Sequence, residues 1–287
     1  MESKPRYINV KGNLIDLSVP RVMGIINVTP DSFFSGSRAE TEGDIISKAG
    51  KMLEEGADFI DIGGWSSRPG AGEITPEEEK NRVLNAISAV SSEFPEAVIS
   101  IDTYRSEIAE IAILEYGASM INDISGGEAD RLMFRTVARL QVPYIMMHMQ
   151  GRPAYMQENP FYEDVTAEII RWFGERIVKL QSMGVNDIII DPGFGFGKNI
   201  SHNFELLKHL GDFSITGLPL LAGVSRKSMI WKTLGITPDE ALNGTTVLNT
   251  AALLAGADIL RVHDVKEAVQ AVKLVHKLKI AVTDYDT

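Results

Sequence analysis

Short runs of apolar, β-branched residues recur along the chain, and each is followed by a longer stretch of helical period. That alternation predicts parallel strands joined by crossover helices. Eight runs qualify: Arg21–Asn27, Asp58–Gly63, Val98–Thr103, Ser119–Ile124, Pro143–His148, Asp187–Asp191, Pro219–Ser225 and Asp258–His263. All read as apolar throughout, as expected of strands covered on both faces. Thr75 and Thr237 are each followed by proline and, three residues on, by Glu78 or Glu240, which predicts capping boxes with proline at the first helical position. Gly56, Gly117, Gly184 and Gly256 stand where helices should stop just before a strand. Ahead of the first run, YINVKGNLIDL alternates around a Lys-Gly pair and predicts a hairpin. Eight β/α units without a break in composition give an α/β fold, a (β/α)8 TIM barrel with an N-terminal β-hairpin. The expectation is one domain over 1–287, in which 1–20 form the hairpin extension covering the barrel's bottom.

A chain of 287 residues with 44% hydrophobic content suits a single barrel core. The net charge of −11, with 28 scattered Lys and Arg, argues against nucleic-acid and anionic-membrane partners, because both are polyanions. With no cysteine, disulfides, thiolate metal sites and cysteine nucleophiles are excluded. No apolar stretch reaches the length of a signal peptide or a membrane span, so a soluble cytoplasmic protein is expected.

Barrels build sites at the C-terminal ends of their strands, and the longest connections here follow the first, second and fifth strands. In strand order those ends offer Asn27 and Asp31; Asp61, Ser66, Ser67 and Arg68; Asp102; Asn122 and Asp123; His148; Asp191; Ser225, Arg226 and Lys227; Arg261 and His263. One Asp or Ser at a strand end is more often a helix cap than a site. So many together point to a pocket. The cations Arg68, Lys227 and Arg261, with His263 as a further candidate, gather on strands that neighbour one another around a closed ring and suit an anion. Asp102, Asn122 and Asp191 supply acceptors for a flat heterocycle with amino and ring N–H donors. The run DPGFGFGKN lacks dinucleotide-binding spacing and reads equally as a flexible or a binding loop. Met146, Met147 and Met149 suggest core packing around His148, which is given no catalytic role.

The motifs NVTPDSFF, GGWSSRPG, SIDTYR, INDISGG, DPGFGFGK, GVSRKS and LRVHDV, in this order from about Arg21 to the last helix, resemble the strand-end motifs of the dihydropteroate synthases. The resemblance implies a transferase of a pterin-methyl group in folate biosynthesis. It would condense 6-hydroxymethyl-7,8-dihydropterin diphosphate with p-aminobenzoate, and pyrophosphate would leave first. Position by position, it implies that Asp102, Asn122, Asp191 and Lys227 hold the pterin, with Ile124 and Met147 lining the slot. Asn27, Arg68, Arg261 and His263 would hold the diphosphate, with Mg2+ on Asn27. Phe33, Ser67, Arg68, Pro69, Phe196 and Lys227 would form the p-aminobenzoate pocket, which is also where sulfonamides bind in that family. Catalysis would fall to Lys227, Arg261, His263, Arg68 and Asp102, and a homodimer is implied.

Two departures from the family pattern stand out. Ser35 occupies a loop position where an aspartate is usual, and Trp65 and Ser67 replace glutamate and threonine in the second motif. Three other readings compete. A folate methyltransferase serving a corrinoid protein would share the ring site but leave the cationic end unexplained. A Schiff-base aldolase would use Lys227, with Arg226 lowering its pKa. A pterin binder without catalysis would fit the altered Ser35 loop.

Overall fold

The computed structural model describes residues 6–28, 41–64, 74–151, 156 and 159–281. Ten strands alternate with nine helices among them: β1 (Tyr7–Val10), β2 (Asn13–Asp16), β3 (Arg21–Asn27), α1 (Glu42–Glu54), β4 (Phe59–Gly63), α2 (Pro76–Glu93), β5 (Ile99–Asp102), α3 (Ser106–Glu115), β6 (Met120–Asp123), α4 (Met133–Leu140), β7 (Tyr144–Met147), α5 (Val165–Ser182), β8 (Ile188–Asp191), α6 (Ile200–Lys208), β9 (Leu221–Ala222), α7 (Ser228–Leu234), α8 (Leu242–Leu254), β10 (Ile259–Val262) and α9 (Val265–Ile280). Strands β3 to β10 pair in parallel in the order β8-β7-β6-β5-β4-β3-β10-β9, and a parallel bridge between Ile190 and Leu220 closes the ring. The eight-strand barrel is as expected, except that the seventh strand pairs over only two residues.

Inside a barrel, every second residue of a strand faces the axis. Met23, Phe59, Met120, Ile145, Ile189, Leu221 and Ile259 do so at the lower end, where they pack with Ile8, Val10 and Leu17 of the hairpin segment. The hairpin therefore plugs the bottom. Its turn places Lys11 and Gly12 both at positive φ, 51° and 86°, as a two-residue hairpin turn requires. Asn9 N–H donates to Asp187 Oδ1 at 2.8 Å, and Arg6 pairs with Asp258, fixing the plug to the barrel's rim. The other face of the strands, including Ile60, Ile62, Ile99, Ile101, Ile121 and Ile190, packs under the helices in the main core.

Helix boundaries follow the glycine signals closely. Gly56, Gly117, Gly184 and Gly256 each lie two residues past a helix at φ between 82° and 99°, a region that a Cβ disfavours. The capping boxes fall elsewhere than expected. Thr75 caps α2 by accepting from Glu78 N–H, but the Glu78 carboxylate pairs with Arg82 instead of reaching back. Thr237 donates both its N–H and its Oγ–H to the Glu240 carboxylate, but Glu240 N–H goes to the Thr237 backbone carbonyl, and α8 begins only at Leu242. Complete boxes occur at Thr41 with Asp44 and at Asn199 with His202. Among the described residues no helix is long and apolar enough to cross a membrane.

Candidate functional site

Two residues beyond four of the apolar side chains of the lower layer, the same inward face turns polar. Asp61 follows Phe59, Asn122 follows Met120, Asp191 follows Ile189 and Arg261 follows Ile259. On β5 the outward pair Ile99 and Ile101 leaves Ser100 and Asp102 facing in. The strands are thus apolar below and chemical above, which corrects the expectation that they are apolar throughout. Asn27 and His263 continue the same register one step higher, on β3 and just past β10.

Expected as an anion group and a heterocycle group, the polar residues are instead joined through Arg261. Its Nε donates to Asp61 Oδ2 at 2.6 Å and its Nη2 to Asp102 Oδ2 at 2.7 Å. Asn122 Nδ2 donates to the same Asp61 oxygen at 2.9 Å. Burial pushes the Asp102 carboxyl up to about 7 against the attraction of Arg261, with Asp61, Glu79 and Asp123 reinforcing the rise. Burial likewise raises Asp191, opposed chiefly by Lys227 and by the Gly193 N–H, which donates at 2.8 Å.

Lys227 enters from the turn after β9. Its Nζ donates to the Phe194 carbonyl and lies 4.8 Å from the centre of the Phe196 ring. Burial pulls its pKa down to about 8, partly offset by Asp191, and Arg261 adds to the fall. Arg226 is engaged elsewhere. Held at φ 51°, it forks onto Asp264 at 2.9 and 2.8 Å and donates to the carbonyls of Pro238 and Asp239. It clamps the turn that aims Lys227. His263 is also corrected: burial and the nearby Arg261, Arg226 and Lys227 push it down to about 3, so at neutral pH it is an uncharged imidazole.

The glycine run is neither loose nor a phosphate cradle. A Cβ on Gly193 would lie 1.9 Å from the His148 carbonyl, and one on Gly197 2.3 Å from that of Gln150. Such close approach lets the loop wrap the buried amino group of Lys198, whose pKa burial drives well below the ordinary lysine value and which bonds His148 Nδ1 at 3.0 Å and the carbonyls of Gly193 and Phe196 at 2.9 and 3.0 Å. Burial, with Lys198 beside it, drives His148 well below its ordinary pKa, consistent with a structural histidine. Sequence reasoning missed Lys198; its signal was a lone lysine closing a glycine run. Phe196, so held, packs with Ile124, Met147 and Met156, and with Tyr104 and Met149 at the edge, in an apolar cluster separate from the two cores. Met146 belongs to the outer core instead.

Asp123 proves structural, accepting from Ser125 N–H and Oγ–H, Gly127 N–H and the Tyr144 hydroxyl. Ser225 accepts from His263 N–H at 3.2 Å and ties two strand ends together. Asp31, Phe33, Ser35, Trp65, Ser66, Ser67, Arg68 and Pro69 lie outside the described residues. The remaining residues gather buried acceptors on the inward strand ends, bonded to Arg261, with Lys227 near Phe196 and its apolar cluster. Such a set suits a flat, donor-bearing ring joined to an anion.

Comparison with known proteins agrees with that chemistry. The sequence matches the family described as pterin binding enzyme over residues 23–263. It is 46% identical to the dihydropteroate synthase of Escherichia coli K12 over 268 residues, covering 92% of this chain and 94% of that one. The fold resembles a Yersinia pestis dihydropteroate synthase solved in a sulfonamide drug complex, with a TM-score of 0.90, 39% identity and coverage of 95% and 98%. It is also similar to the Xanthomonas albilineans enzyme solved with 4-aminobenzoic acid, with a TM-score of 0.88, 37% identity and coverage of 97% and 100%.

Proposed function

The chain belongs to the dihydropteroate synthase family of pterin-binding enzymes, and from that premise we propose how its residues carry the reaction. It condenses 6-hydroxymethyl-7,8-dihydropterin diphosphate with p-aminobenzoate to give 7,8-dihydropteroate and pyrophosphate. The observation that carries our reading of the site is the inward row Asp102, Asn122 and Asp191, faced by Lys227 and Arg261 beside the Ile124, Met147 and Phe196 slot.

In this reading the pterin's amino and ring N–H groups donate to Asp102, Asn122 and Asp191, whose buried oxygens would otherwise be costly to leave unpaired. Lys227 bonds the ring and bridges to the p-aminobenzoate pocket shaped by Phe196 with Phe33, Ser67, Arg68 and Pro69, where sulfonamides would compete. The diphosphate takes Arg261, Arg68 and the neutral His263, which serves as an N–H donor and gains a proton only as the anion's field raises its pKa.

Magnesium suits this donor set. Asn27 offers one hard amide oxygen, and among the described residues no three His, Cys, Asp or Glu side chains gather as a metal cage. Mg2+ accepts such sparse protein ligation when substrate phosphates and water complete its shell, and there it would neutralise diphosphate charge. The methylene–oxygen bond breaks first and its electron pair leaves with pyrophosphate, stabilised by Arg261 and His263. The pterin-methyl cation is offset by Asp102 and Asp191, and the arylamine nitrogen then forms the new bond and sheds its proton.

Neither a corrinoid methyltransferase nor a non-catalytic binder gives the Arg261 and His263 end a task. The protein is read as a cytoplasmic homodimer, its second copy covering Val247, Leu254, Leu274 and Leu278, which α8 and α9 expose. Substrate deuterated at the reacting methylene tests the order of bond breaking. A clearly normal secondary isotope effect on kcat/KM is expected, and one near unity would contradict cation formation.

A further inference from the structure

Asp61 stands apart from the other buried aspartates. It lies in mid-strand on β4, wholly buried, with β5 and β6 on one side and β3 and β10 on the other. One oxygen, Oδ2, takes both Asn122 Nδ2 from β6 and Arg261 Nε from β10. The other, Oδ1, is buried without a hydrogen-bond partner among the described residues. Asp123 shows what a purely structural buried aspartate looks like in this fold, with four donors shared over both its oxygens. A carboxylate kept for stability would be expected to satisfy both oxygens, because an orphaned buried acceptor carries its full desolvation penalty. Asp61 forgoes that and holds two functional side chains with one atom.

Each bond has a directional consequence. Because the Asn122 NH2 group is committed to Asp61, its carbonyl oxygen is the end left to meet a ligand, which suits ring donors. Because Arg261 is held at Nε, its guanidinium can release Asp102 when ring donors arrive there, and turn Nη2 toward an anion without losing its anchor.

We propose that Asp61 is a positioning residue shared by the two halves of the substrate site: it sets Asn122 as an acceptor for the pterin ring and serves as the pivot on which Arg261 passes from Asp102 to the diphosphate. The proposal rests on the ring and diphosphate assignment above. It implies that ring and anion binding reinforce one another, since a ring on Asp102 frees the guanidinium for the anion, and such coupling is reciprocal.

The test uses Asp61→Asn with 6-hydroxymethylpterin and pyrophosphate as separate calorimetric probes, and Asp123→Asn as the structural control. Asp61→Asn should weaken both ligands at least tenfold and abolish the tightening of one by the other, while its circular dichroism stays that of the wild type. Asp123→Asn should lower the melting temperature yet leave both affinities within twofold in the folded protein. Wild-type affinities in Asp61→Asn, or a loss confined to one ligand, would overturn the shared role. Wild-type protein that binds neither probe would overturn the site assignment itself, before Asp61 is touched. Should Asp61→Asn not fold, a crystal structure of the wild type with both probes decides. Asp61 Oδ2 should still hold Asn122 Nδ2 and Arg261 Nε, with Nη2 on pyrophosphate; a guanidinium detached from Asp61 would refute the pivot.

Discussion

Asp102→Asn should stabilise the protein at neutral and alkaline pH while disabling it. Burial raises the Asp102 carboxyl from 3.8 to about 7. Below the unfolded value the group is protonated in both states and costs nothing. As pH climbs from there toward 7, the unfolded chain gives up its proton first, so the group's contribution to stability declines and is fully lost above 7. At roughly 1.4 kcal/mol per tenfold change in proton affinity, the penalty above pH 7 is at most about 4 kcal/mol. The side chain is still 17% exposed, and an asparagine oxygen can keep accepting from Arg261 Nη2. A gain of about 1–3 kcal/mol at pH 8 is therefore expected. Urea unfolding at pH 8 and pH 5 measures it, and the gain should fall to less than half at the lower pH. Turnover should drop sharply, because the amide's NH2 would confront the ring's donors. A variant destabilised at pH 8, or a gain indifferent to pH, would refute the reasoning.

The other predictions concern the cations and the loop. Arg261→Ala should weaken pyrophosphate binding by about 2–3 kcal/mol, as loss of a buried charge partner does, and calorimetry should show a smaller effect on the bare pterin. Since Lys227 titrates near 8, kcat/KM should fall as pH rises above that value while the ammonium is lost; a flat profile to pH 9.5 would remove Lys227 from the ring contacts. Gly193→Ala places a Cβ 1.9 Å from a backbone carbonyl at φ 71° and should cost about 2–4 kcal/mol in denaturant unfolding, with Phe196 and the p-aminobenzoate KM disturbed as well.

The barrel was legible because its signals are local. Alternation marked the hairpin, apolar runs marked the strands, and C-terminal glycines marked where helices stop. The Thr237 box is also local, but the Pro238 and Asp239 carbonyls are taken up by Arg226, and the helix starts beyond them. The strand-end inventory likewise named most of the pocket's residues. It could not supply their protonation, since His263 is neutral only because three cations from other positions surround it in a buried place. Nor did it single out Asp61, which looks like an interruption in FIDIG until its inward parity with Phe59 is counted. Lys198 was hidden similarly, as its partners are mostly carbonyl oxygens, which sequence does not distinguish.

The most direct test of the account is turnover by the purified protein given 6-hydroxymethyl-7,8-dihydropterin diphosphate, labelled p-aminobenzoate and Mg2+. Dihydropteroate and pyrophosphate should appear in equal amounts, with product abolished in Lys227→Ala. Tight binding of the pterin diphosphate with no product, or product undiminished in that variant, would contradict it.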